Sequence, residues 1–389
     1  MDVFSSIEIR GVVRLGSLIF ARNPAIYLAA AQAVLARLLR RAGLKGLKDT
    51  PAPWSPAASW SDADRLFVAQ RSKGRSDVVF ADYAWQMEAF PYLLDPDART
   101  AVVMHDLFHG RAASFARQGA TDAVAILSRR EEAKLLSQAG TIIAIQAEEA
   151  EEVRRLVPGS RVLLAPMTAV PAARPQPGDG RTILFVGSNT AANRVGLEWF
   201  FEQVWPRLQT LHPEAELTVV GSVCRALTDV PAGVRCVGVV DRLEPYYATA
   251  AVVISPLTIG SGLKIKLVEA LAQGKACVVT STTLQGVEAQ AGDAVRLADG
   301  AEDFAREVAE LLGDAQMRAS LGTRALQVVG THFSAPAAHA SLTAWLRRED
   351  QASGSATPYA PSSFRSDILA ADTELAAPDR AAQGRLARA

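Results

Sequence analysis

The sequence predicts an α/β protein of two Rossmann-like domains facing a cleft, the first domain reduced and the chain ending in a disordered tail. Three observations carry that prediction. Short apolar runs of strand length alternate with charged, helix-prone stretches in both halves, the pattern of parallel sheets covered on both faces. A segment rich in proline and glycine, Pro166 to Gly180, separates the halves and reads as a linker. The 389 residues, 49% of them apolar, suit two domains with their own cores.

In chain order, Met1 to Ile9 offers at most one short strand, and a basic amphipathic helix is expected directly after it. Arg10, Arg14, Arg22, Arg37, Arg40 and Arg41 tilt this region positive, and residues 25–39 are rich in Ala and Leu. Two readings stay open: a surface helix that touches anionic lipid, and an ordinary amphipathic helix packed on its own domain. Strands are expected at Asp77 to Ala81, Ala101 to Met104, Thr141 to Ile145 and Arg161 to Ala165. Helices are expected at 122–138 and 147–157. The second half repeats the pattern, with strands at Thr182 to Val186, Glu216 to Val220, Val234 to Val237, Ala251 to Ser255, Ala276 to Thr280 and Ala294 to Leu297. Helices are expected at 193–211, 243–248, 301–312 and 314–329. The expected organisation is an N-terminal domain over 1–166, a linker over 167–181, a second domain over 182–335, a last helix over 336–349 and a disordered tail over 350–389.

Composition excludes several classes. With 41 basic and 41 acidic side chains, no net charge draws the chain to nucleic acid. Cys224, Cys236 and Cys277 show no metal-ligand spacing and read as buried small hydrophobes in a reducing compartment. No apolar run reaches the roughly 18 residues that span a bilayer, and no signal peptide is evident. The expected location is the cytoplasm, at the inner membrane face if the basic helix meets lipid.

The most informative stretch is Gly260-Ser261-Gly262-Leu263-Lys264. Glycines allow a sharp turn and a close ligand approach. The helix expected to start near Leu263 would point its unpaired amides into that turn and attract phosphate oxygens, and Lys264 adds a charge there. Leu263, Leu267, Ala270 and Leu271 form the apolar stripe, which leaves Lys266, Glu269 and Gln273 opposite. Glu269 could accept hydrogen bonds from a sugar diol. The alternative is a tight turn followed by a surface Lys266–Glu269 pair. In the first half, His105 and Asp106 close a strand. A lone histidine is commonly structural, but at a strand's carboxyl edge in an α/β domain it is a site candidate. His109 and Arg111 are weaker candidates, and His212, His332 and His339 read as structural.

The run Pro256-Leu257-x-x-Gly260-Ser261-Gly262-x-Lys264-x-Lys266-x-x-Glu269-Ala270-x-Ala272-x-Gly274 resembles the donor-site signature of the retaining glycosyltransferases of family four, glycosyl transferases group 1, which have two Rossmann domains (the GT-B fold). Phe185-Val186-Gly187-Ser188 with Asn193 and Gly196 resembles the loop that opens their donor domain. Val237-Gly238-Val239-Val240-Asp241 with Tyr246-Tyr247 resembles the strand and turn beside the nucleotide, and His332-Phe333-Ser334 the segment before the crossover helix. The likeness covers about residues 76–347. It implies a donor site of Gly187, Ser188, Asn193, Gly260, Ser261, Gly262, Leu263, Lys264 and Glu269, with Glu269 on the nucleotide ribose. It implies His105 as the catalytic-site residue beside the donor sugar, with Asp106 orienting it or the backbone.

The sequence also departs from the family. Ser261 stands where many members have a first glutamate, so that role would pass to backbone amides around Ser261 to Lys264. Ser188 and Asn193 stand where many hold an Arg/Lys pair; Asn193 is also a good helix N-cap. The strand and glycine-rich loop that usually open the N-terminal domain are not expected from Met1 onward, which leaves two readings: the chain begins late, or the domain is reduced.

The resemblance implies transfer of a hexosyl group from a nucleotide-sugar to a glycan or lipid-linked acceptor with retention, in polysaccharide biosynthesis. It implies no cofactor beyond the nucleotide-sugar co-substrate and no metal. A degenerate, non-catalytic nucleotide- or partner-binding protein is the alternative, and an epimerase or phosphorylase on the same fold is a third.

Overall fold

A computed structural model describes residues 8–15, 18–24, several positions between 27 and 38, 60–72, 76–93, 95, 97–110, 127–260 and 264–349. Ser261, Gly262, Leu263, Arg111 and the expected tail over 350–389 lie outside the described residues. The chain divides into two units. One comprises residues up to Asp77 with Glu88–Ala98; the other comprises Val78–Met87 and the described residues from Arg99 onward.

The first unit corrects the expected N-terminal helix. Strand β1 (Val12–Leu15) pairs antiparallel with β2 (Leu18–Ala21), from Val12↔Ala21 to Leu15↔Leu18. Two apolar runs separated only by Gly16-Ser17 are a hairpin signal, and it outweighs the basic tilt. Helix follows only from residue 24. Among its described residues, the apolar side chains Tyr27, Leu28, Val34, Leu35 and Leu38 are exposed.

The second unit contains both parallel sheets. The first orders β3 (Val78–Ala81), β4 (Arg99–Met104), β5 (Thr141–Ala144) and β6 (Arg161–Leu164) side by side. All of β5 is buried, as its uninterrupted apolar run demands. The second sheet has β7 (Thr182–Val186), β8 (Glu216–Val220), β9 (Val234–Gly238), β10 (Val252–Ser255), β11 (Ala276–Val279) and β12 (Arg296–Leu297), in the order β9-β8-β7-β10-β11-β12. Alternate residues of β7 feed opposite cores, Ile183 and Phe185 on one face, Leu184 and Val186 on the other. The strand order reverses between β7 and β10, and such a switch point opens a crevice at the strands' carboxyl ends.

The helix expected over 193–211 begins at Ala191 and widens to a π-helical turn at Phe200–Val204. Pro206 lies just beyond; it has no amide to offer and its ring crowds the preceding turn. The helix Ala340–Leu346 returns to the first sheet, where Trp345 packs with Ala101, Ile143, Leu163 and Ala165. Arg99 stacks 4.7 Å from the Trp345 ring centre and donates to the carbonyls of Trp345 and Leu346.

The proline-rich segment is strapped to the second sheet. Ala172 N donates to Ala272 O at 2.7 Å. Lys275, 2% exposed, donates to Gln176 O at 2.7 Å and Ala250 O at 2.9 Å. Arg318 donates to Pro177 O at 3.3 Å and to the carbonyls of Leu311 and Leu312. Burial pulls the Lys275 ammonium down to about 8. The cysteines are free, but only Cys277 is buried; Cys224 is half-buried and Cys236 exposed, contrary to the expectation of three buried thiols.

Candidate active site

The crevice is built first from backbone. Gly187, after β7, donates to Val220 O at 2.9 Å and accepts from Val223 N at 3.3 Å. Gly221, after β8, has φ +118, and a Cβ there would fall 2.1 Å from Gly187 O. Its amide donates to Gly238 O at 2.7 Å. The carboxyl ends of β7, β8 and β9 thus interlock main chain on main chain, which glycine alone permits.

Ser188 O accepts from Thr190 N at 2.8 Å and from Asn193 Nδ2 at 2.9 Å. The N-cap of helix Ala191–Trp199 is Thr190, whose hydroxyl accepts from Asn193 N at 3.4 Å. Asn193, expected as a cap, sits inside the first turn and turns its amide back onto the Ser188 carbonyl.

Farther along that helix, a Cβ at Gly196 would lie 2.7 Å from Pro256 O, so the helix rests directly on the loop after β10. Hydroxyl groups hold the loop from its other side. Thr283 Oγ1 donates to Ser255 O at 2.7 Å, and the buried Thr280 hydroxyl donates to Leu257 O. Gly260 then takes φ +130, and a Cβ on it would be 3.6 Å from Ala192 Cβ and 3.7 Å from Lys264 Cε. Lys264 is the N-cap of the next helix, Ile265–Ala272, which begins beyond the expected Leu263. The amino ends of two helices and a lysine side chain therefore meet at Gly260, and each favours negative charge there.

Glu269 lies one turn into this helix and accepts from Lys266 Nζ at 2.6 Å. The pair anticipated as the structural alternative is thus formed. Tyr247, 2% exposed, has a hydroxyl without a hydrogen-bond partner among the described residues. Burial, and then the nearby Glu269 carboxylate, push its phenol well above the usual value. Glu269 therefore stands between Lys266 and Tyr247.

In the first sheet His105 follows β4, and its Nε2 lies 2.9 Å from Asp82 Oδ1, just past β3. The ring's hydrogen-bond partner is thus Asp82, and not its sequence neighbour Asp106. Asp106 is 4% exposed and lies beside buried Glu149, whose carboxyl is pushed up to about 8 by burial and by Asp106. Glu132, wholly buried, accepts from Phe108 N at 2.9 Å, His109 N at 3.0 Å and His109 Nδ1 at 2.6 Å. Asp82, Glu132 and Glu149 escaped the sequence reading. In Arg129–Leu136 the only hint was that Glu132 shares a helix face with Leu136, whereas Glu131 completes a capping box with Ser128.

The two carboxyl edges touch where Gln146 meets Gly286; a Cβ on Gly286 would be 2.1 Å from Gln146 Oε1. A cavity of about 240 Å³ surrounds this contact, with Gln146, Val287, Gln290, His332 and Phe333 among its lining. Among the described residues no group of three or more His, Cys, Asp or Glu side chains could hold a metal, and no helix is long and apolar enough to cross a membrane.

Two parallel sheets tied by a returning helix, with a switch-point crevice in the second, define the fold of the GT-B glycosyltransferases. Residues 180–314 match the family described as Glycosyl transferases group 1. The chain is similar to TarM of S. aureus (TM-score 0.59, 11% identity, covering 74% of this chain and 58% of TarM). It is similar to sucrose-phosphate synthase from Thermosynechococcus elongatus (TM-score 0.58, 17% identity, covering 86% and 95%). Anabaena HepE, solved with UDP, has TM-score 0.56 and 12% identity, with 74% and 82% covered. At these identities the likeness establishes the fold, and the chain spans less than two thirds of TarM. No curated protein sequence matches this one.

Proposed function

We propose that the chain is a retaining glycosyltransferase that takes a hexosyl group from a nucleotide-sugar and passes it to a glycan or lipid-linked acceptor. The observation that carries this reading is the meeting of two helix amino ends and Lys264 at Gly260, a place for the diphosphate of a nucleotide. The family match over 180–314 supports it, as does the UDP in the HepE structure.

When the sugar–phosphate bond breaks, negative charge grows on the leaving diphosphate. The helix dipoles and Lys264 meet that charge without a metal, by the logic of an oxyanion hole. Glu269 accepts hydrogen bonds from the ribose diol, and His105 attends the sugar. The exposed apolar side chains between Tyr27 and Leu38 support a contact with a membrane carrying a lipid-linked acceptor, on its cytoplasmic face.

Calorimetric titration of the full chain with UDP-, GDP- and dTDP-sugars tests the reading. Binding of one class is expected, weakened by Lys264→Ala and by Glu269→Ala; His105→Ala should reduce turnover more than binding. Failure to bind any of the three would overturn the enzyme assignment.

A further inference from the structure

This inference rests on the reading that His105 belongs to the site, and it concerns what sets the imidazole. Strands β3 and β4 are parallel neighbours in register from Val78↔Arg99 to Ala81↔Val102. Their carboxyl ends therefore emerge together, and Asp82 and His105 follow them directly. The His105 ring lies on Tyr83, with ring centres 4.6 Å apart and planes 35° from parallel. Its Nε2 is 2.9 Å from Asp82 Oδ1, and it has no other hydrogen-bond partner among the described residues. Asp82 is itself fixed, because its amide donates to Gln86 Oε1 at 2.7 Å.

The pair is open to solvent, with the His105 side chain 39% and the Asp82 side chain 67% exposed. Exposed ion pairs add little to stability, so folding energy does not account for the arrangement. What it does determine is orientation. An ionised carboxylate can only accept, so Nε2 must carry the hydrogen, and in the neutral ring the other nitrogen is then a lone-pair acceptor. Asp106, the sequence neighbour, is buried beside Glu149.

We propose that Asp82 is the positioning residue of His105: it holds the imidazole against Tyr83 as the Nε2–H tautomer and reserves Nδ1 to accept a hydrogen bond from a sugar hydroxyl. The ligand class this selects is a hydroxyl donor. A phosphate or carboxylate without a hydrogen to donate finds no partner at that nitrogen while the ring is neutral.

Nitrogen-detected NMR of the full chain, labelled at its five histidines and assigned with His105→Gln, reads the tautomer directly. Wild type should show His105 as Nε2–H. Asp82→Ala should give a tautomer mixture with an unchanged unfolding midpoint, Asp82→Asn, whose amide can donate to Nε2 as well as accept from it, should also lose the pure Nε2–H form, and Asp106→Asn should leave it untouched. Turnover of the bound nucleotide-sugar should fall on the order of 10- to 100-fold in Asp82→Ala with nucleotide affinity unchanged, and Asp82→Asn should not restore it. An unaltered His105 tautomer in Asp82→Ala, or an altered one in Asp106→Asn, would overturn the proposal. The tautomer is read without substrate, so failure of the glycosyltransferase reading would appear separately, as wild-type protein that binds no nucleotide-sugar.

Discussion

The two sheets present their carboxyl-end loops by opposite means. Around Gly187 and Gly260 the loops are held by main-chain contacts and hydroxyls: Gly221 against Gly187, Gly196 against Pro256, Thr280 and Thr283 on the loop after β10. Around His105 the loop is held by carboxyl groups, with Glu132 gripping Phe108 and His109 and Glu149 packed on Asp106. Under the proposed function, the difference follows from what each loop would meet. A site that gathers helix dipoles for a diphosphate would lose its attraction if anions supported it. A loop that contacts a neutral sugar tolerates buried carboxylates, and takes on their dependence on pH.

The largest test of this contrast is Gly221→Ala. The substitution forces a side chain into a left-handed backbone and onto the Gly187 carbonyl, so a loss of about 4 kcal/mol in denaturant unfolding is expected. Nucleotide affinity should fall with it, since the same contact shapes the crevice. A variant of full stability would mean that the main chain does not carry the donor side.

Glu132→Ala probes the other loop. It strips three donors of a buried partner, and about 3 kcal/mol should be lost. If the second sheet holds the nucleotide as proposed, turnover should drop while nucleotide affinity stays. Equal losses in both measurements would erase the division of labour between the sheets.

Glu149 supplies the pH signature. Its carboxyl rises from an ordinary 4.5 to about 8 in the folded chain, through burial and then Asp106. Between those values the native state keeps a proton that the unfolded chain has released. Its contribution is therefore complete below the unfolded value and is lost as pH climbs from about 4.5 through 8, by up to about 1.4 kcal/mol per pH unit. Glu149→Gln should flatten the stability profile across that window, measured by urea unfolding from pH 5 to 9. An unchanged slope would show that this carboxyl does not carry the proton.

These loops also mark where the sequence could be read. Strand positions were legible because runs such as Thr182–Val186 and Val252–Ser255 are apolar and β-branched and so demand burial on both faces. The Gly260 turn was legible because glycine at a strand–helix junction has few other uses. Asp82 was not, because its tie to His105 exists only once β3 and β4 lie side by side. Glu132 and Glu149 look like any acidic residue of a charged helix until the fold buries them. The Val12–Leu15 hairpin is hidden for a different reason: the arginines suggest a basic helix, while two apolar runs two residues apart pair as strands.

The smallest effect separates capping from the crevice on the donor side itself. Thr190 holds the N-cap, so Thr190→Ala should cost about 1 kcal/mol. Asn193→Ala removes only the exposed bond to Ser188 O and should cost roughly 0.5 kcal/mol. If the Asn193 amide serves mainly to shape the loop after β7, nucleotide affinity will respond more to Asn193→Ala than stability does, and Thr190→Ala will show the reverse. Unfolding curves and calorimetric titrations on the two variants decide it. An affinity loss confined to Thr190→Ala would instead make the helix amino end, through its cap, the part of the loop that the nucleotide feels.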